Sequence, residues 1–103
     1  MVDQIMDTVE ELQKAVEQLH TCRARFIETA EVVEVFQGKM VWEGKIFIFN
    51  LEGHPRATTA YAWSSPIEGS TKRRFYTVLN IPPVDSPQKA VRASIVNDFK
   101  KNA

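Results

Sequence analysis

The sequence predicts a single two-layer α+β domain spanning residues 1–103, in the order helix, four-stranded antiparallel meander, helix. Three observations predict it. Apolar residues recur at spacings of three and four near the start. Four runs rich in β-branched and aromatic residues follow, separated by turns containing Gly or Pro. A capped amphipathic segment then closes the chain. Short turns between consecutive strands favour antiparallel neighbours, and the helices then form a second layer on the sheet.

The first helix is expected from near Asp3 to near Arg23, with Val2, Ile5, Val9, Leu12, Val16 and Leu19 as its apolar seam. That spacing also occurs in two-stranded coiled coils. Here Thr8, Gln13, Ala15 and His20 flank the seam in place of opposite charges, and Met6, Ala15 and Cys22 widen it. A wide stripe is the mark of a helix lying on a core.

Glu31–Phe36 reads as the first strand, and Gln37-Gly38-Lys39 is a turn of hairpin length. The second strand runs from Met40 to Leu51, with Gly44 placed for a bulge or bend. After a turn at Glu52-Gly53-His54-Pro55, the third strand is expected over Ala57–Ser64. A polar loop then leads to the fourth, Arg73–Ile81, which Pro82-Pro83 ends. Ser86 suits the cap of the last helix and Pro87 its first position, where a missing N–H costs nothing. Val91, Ile95 and Phe99 form that helix's stripe, and Lys100 and Lys101 complement the dipole at its end.

The second and fourth strands are apolar on both sides. Phe47, Phe49 and Leu51 share one face of the second strand, and Ile46 and Ile48 share the other. In the fourth, Phe75 and Leu79 oppose Tyr76 and Val78. Such a sheet needs cover on both faces, whereas two helices of about 10 Å diameter span a four-stranded sheet only once. Ala60 and Ala62 suit close approach, so both helices are expected on their face. The face of Tyr61 and Trp63 is then left bare for a second copy or a small apolar or aromatic ligand.

The composition, 44% hydrophobic and 25% charged, is that of an ordinary globular protein. A lone cysteine, Cys22, rules out an internal disulfide. The acidic opening lacks the pattern of a signal peptide, and no run is long and apolar enough to span a membrane. A cytoplasmic protein without membrane contact is the expectation. Net charge is zero but polarised. Residues 1–37 carry eight acids against three bases, and residues 71–103 carry seven bases against two acids. Mutual cancellation of the two ends is the simpler meaning, because a nucleic-acid binder shows net basicity.

No motif names a reaction. His54 sits in a turn near a strand end, where it can titrate near neutral pH or simply bond to backbone. His20 and Cys22 face different ways on a helix, and no metal-ligand spacing, nucleophile elbow or phosphate-cradling loop is present, so no cofactor is expected. Trp42, Tyr61 and Trp63, with Arg74 and Tyr76, are the candidates for an interface or a ligand platform. The cluster Lys72-Arg73-Arg74, followed by Phe75 and Tyr76, and the basic residues Lys89 and Arg92 make a nucleic-acid-associated module the alternative. The helix–sheet–helix order and the segment Ser86-Pro87-Gln88-Lys89-Ala90 are faintly similar to the double-stranded-RNA-binding domain. That family has three strands and a lysine run at this helix start. Four strands are expected here, with Pro87 and Gln88 in place of the run, so no membership follows. The leading expectation is a small homodimeric protein with an interaction or ligand-binding role.

Overall fold

Each helix takes its own face of the sheet. The computed structural model describes residues 2–102, with side chains for residues 9–98. The elements are α1 (Val2–His20), β1 (Arg23–Phe36), β2 (Lys39–Glu52), β3 (Thr59–Pro66), β4 (Arg73–Leu79) and α2 (Pro87–Asn102). The strands form one antiparallel sheet in the order β1-β2-β3-β4, which is the meander the sequence predicts.

Strand parity divides the core in two. Phe47, Phe49, Leu51, Ala60 and Ala62 point to one side, where Leu12 and Val16 of α1 pack against them. Val32, Ile46, Tyr61 and Trp63 point to the other side, where Ala90 and Val91 of α2 cover them. α1 therefore lies on the alanine face as expected, but α2 does not join it. The molecule has three layers rather than two, and the Tyr61/Trp63 face is not bare. The physical reason lies in how α2 fits that face. Ala90 is small enough to let the helix approach a face crowded by two tryptophans and two tyrosines. The seam residues Val2 and Ile5, the flanking Met6, and the final Phe99, Lys100 and Lys101 have side chains outside the described residues.

The local signals act as their chemistry requires. Gln37 and Gly38 form a two-residue hairpin turn between the paired Phe36 and Lys39, both with positive φ (52° and 78°). That is the combination a tight hairpin needs, and Gly38 adopts it without strain. The Ser86 hydroxyl accepts the N–H of Lys89 at 3.2 Å, and the Ser86 carbonyl accepts that of Ala90 at 3.0 Å. Ser86 thus caps α2, with Pro87 as its first residue. β1 begins eight residues earlier than expected, at Arg23, and its register slips at Ile27.

Gly44 is not a bulge. It stands in register opposite Val32, and the break in β2 falls at Val41 instead. Glycine is needed because a Cβ there would lie 2.7 Å from Cη2 of the Trp42 indole, which folds back over it. Gly44→Ala is expected to cost about 1–3 kcal/mol by displacing that ring. Urea unfolding of the variant and the wild type checks the value.

β2 pairs with β3 only over Phe47–Asn50, so the distal parts of β1 and β2 extend past β3 as a two-stranded arm. One face of the arm is held by the start of α2. The Gln88 side-chain N–H donates to the Val33 carbonyl at 2.9 Å, and Val32 and Trp42 pack with the α2 cluster. The other face is the one that concerns function.

Candidate functional site

Four of the six candidate residues form one continuous row. Trp42 meets Trp63 edge-to-face at 5.9 Å, and Trp63 stacks on Tyr76 at 5.3 Å with an interplanar angle of 10°. The Arg74 guanidinium lies 5.0 Å above the Tyr76 ring. Strand pairing builds this row, because Trp63 stands directly opposite Tyr76, and Ser65 opposite Arg74, on the α2 side. Tyr61 lies two residues along on the same face and is buried. Burial pushes its hydroxyl pKa up, with a smaller push from Asp85. The rings are packed against one another and against α2, with Trp63 buried and Trp42 and Tyr76 half-buried. Offset and edge-to-face rings at these separations stabilise a core beyond the area they bury.

His54 lies apart from that row. Its Nδ1 accepts two backbone N–H groups, from Arg56 at 3.0 Å and Ala57 at 2.9 Å, which fixes the ring inside its own turn. Beside it on the α1 side is His20, with ring centroids 6.2 Å apart, and His20 Nε2 is 2.6 Å from the Thr77 hydroxyl. Burial, and secondarily the charge of His54, lower the His20 pKa. The Cys22 thiol is pushed up by burial and then by Glu17, which keeps it protonated and a poor nucleophile. Among the described residues, no three His, Cys, Asp or Glu side chains are grouped as a metal site would need.

Four of the five basic residues of the alternative reading are already engaged. Arg92 Nε donates to Oε1 of Glu34 at 2.6 Å, Lys89 pairs with Asp85 at 3.1 Å, and Arg74 lies 3.8 Å from Asp98. Arg73 donates to the hydroxyl of Ser64 at 2.8 Å and to its carbonyl at 3.1 Å. The acidic first half and basic last half of the sequence thus meet most directly at Glu34, which is buried and also accepts from Gln88.

The Arg92 contact holds the Glu34 carboxyl below its ordinary value of 4.5 with help from Gln88, although burial opposes the shift. A carboxylate with a lowered folded-state pKa stabilises the fold above its unfolded value, and the gain is lost as pH falls through the folded one. His20, whose folded-state pKa is lowered, loses stability as pH falls below 6.5, because the unfolded chain takes up the proton first. Stability is therefore expected to decline in two steps on acidification, below about 6.5 and again below about 4.5. Urea midpoints measured against pH check this, and Glu34→Gln should flatten the lower step alone.

The surface that sequence reasoning missed is the α1-side face of the arm. Val33, Val35 and Met40, which share that side, are 46%, 56% and 60% exposed. Val33 and Val35 alternate with the buried Val32 and Glu34, and Met40 stands opposite Val35. Glu31 and Lys45, opposite one another, separate this patch from the core, and Glu43 stands beside it opposite Val33. The signal was present in Val33-x-Val35, but only the position of α2 decides which side of that alternation is covered. Other concavities, such as the groove of about 510 Å³ between Val84 and Val96, lie open at the surface.

No family model, no curated protein and no solved structure matches the chain. No helix among the described residues is long and apolar enough to cross a membrane.

Proposed function

We propose that this chain is an interaction protein rather than an enzyme, and that it works as a homodimer joined through an apolar sheet face. The face is that of the arm, not the aromatic face that sequence alone suggested. The exposure of Val33, Val35 and Met40 on one side of a two-stranded projection carries the reading. Together they form an exposed apolar patch bordered by charge, the kind of surface that marks interaction sites. A two-fold contact needs only one self-complementary patch. The flanking charges support it as well, because Lys45 lies between two acids, and in the described residues none of the three has an ion-pair partner within 4 Å. A second copy in antiparallel orientation can present acids to each lysine.

Sedimentation velocity over a dilution series tests this. The wild type is expected to sediment as an assembly, and Val35→Lys combined with Met40→Lys is expected to halve its mass without changing the helical circular dichroism. An unchanged mass in the double variant, or a wild type that is monomeric throughout, contradicts it.

A further inference from the structure

We infer that the open edge of β4 pairs with β4 of a second copy, antiparallel about a two-fold axis at Tyr76, joining two four-stranded sheets into one. This contact is separate from the arm and stands without it. The sheet has two edges. β1 is broken by the slip at Ile27, and bulges deter edge pairing. β4 pairs with β3 without interruption from Arg73 to Leu79, contains no Gly or Pro, and leaves Tyr76 to Leu79 only half-buried. An unbroken edge is a template for another strand.

The ladder shows which backbone groups are free. The Asn80 N–H donates to the Thr59 carbonyl at 3.0 Å, so Thr59 and Asn80 are a hydrogen-bonded pair. Bonded and non-bonded pairs alternate along antiparallel strands. Val78, Tyr76 and Arg74 therefore bond inward to β3, and the N–H and C=O groups of Arg73, Phe75, Thr77 and Leu79 point outward. Beside them runs a groove of about 590 Å³, flanked by Leu19 and His20 of α1 and by Ser94, Asn97 and Asp98 of α2. The groove follows the strand edge between the two helices.

A second copy is the occupant because β4 is self-complementary about its central residue, Tyr76, and charge sets the orientation as antiparallel. An axis at Tyr76 sets Phe75 against the second copy's Thr77, and Arg73 against its Leu79, so every outward group on both strands is used. Arg73 then lies six positions from its own copy, about 20 Å along the strand. That is more than twice the ~8 Å screening length at physiological salt. A parallel approach would instead set Arg73 and Arg74 directly against their copies. The formal net charge of zero adds no general repulsion between molecules. With the arm contact also in place, two distinct two-fold interfaces close as a tetramer or continue as a filament.

Residue-resolved amide hydrogen exchange on the full chain tests the pairing. The N–H groups of Phe75, Thr77 and Leu79 should exchange at least ~10-fold more slowly in concentrated than in dilute protein, while those of Arg74, Tyr76 and Val78 are protected in both. Phe75→Pro deletes one outward donor and spares the β3 ladder, and it is expected to halve the assembled mass. If that variant does not fold, the exchange pattern in the wild type decides alone. Equal exchange of the three outward amides at both concentrations overturns the inference. Val35→Lys with Met40→Lys should leave the β4 protection intact, so failure of the arm contact and failure of this one give different results.

Discussion

Trp63→Ala is expected to destabilise the protein by about 3–5 kcal/mol, the usual cost of deleting a large buried aromatic ring. Against the ~5–15 kcal/mol typical of a domain, that is enough to leave a large unfolded fraction under mild denaturant. The size of the effect follows from position. Trp63 is buried at the centre of the α2-side cluster, with Trp42 against its edge and Tyr76 stacked on its face. Its removal withdraws support from both neighbours and from Ala90 and Val91 of α2. Urea unfolding measures the loss, and amide exchange locates it. α2 should lose protection before α1. Had both helices lain on the other face, Trp63 would meet solvent or a second copy. Its replacement would then cost little in a dilute monomer.

The companion prediction concerns the opposite face. Phe49→Ala is expected to cost a similar ~3–5 kcal/mol, with α1 rather than α2 losing protection first. Phe49 is fully buried in the cluster containing Leu12 and Val16 of α1, and Phe26 meets it edge-to-face at 5.8 Å. The pair of variants therefore reads the two halves of the core separately. A Trp63→Ala protein that loosens α1 first, or a Phe49→Ala protein that loosens α2 first, would contradict the three-layer arrangement.

The order of elements was legible because each boundary has local chemistry. Ser86-Pro87 announces α2, Gln37-Gly38 the first hairpin, and the alternation around Tyr61 and Trp63 the third strand. The first half of β1 was less visible. Arg25 and Glu28 give it a polar look, yet Ala24 lies toward the core and Phe26 toward the rings of Phe47 and Phe49. The period of two was there in Arg23–Phe26 but spans too few apolar residues to stand out. Layering was not legible at all. Which face a helix chooses depends on long-range packing, and the weakly apolar stripe of α2 at Val91 and Ile95 does not specify a destination.

The candidate site shows the same division. Pattern alone selected Trp42, Tyr61, Trp63, Arg74 and Tyr76, and strand register brings them onto one face. It could not reveal that α2 covers them, nor that His54 lies beside His20, although a turn histidine bonding to backbone was legible. Gly44 carries a related lesson. A mid-strand glycine signals either a bulge or a close approach, and only the fold of the Trp42 indole over it distinguishes the two.

Both sheet faces over the body of the domain are thus clothed by the chain's own helices, while the arm face and the β4 edge are not. Native mass spectrometry of the wild-type protein at micromolar concentration asks most directly whether other copies complete them. Even-numbered multiples of the 11.8 kDa chain are the expected result. A single species at 11.8 kDa over the whole accessible concentration range would contradict the account.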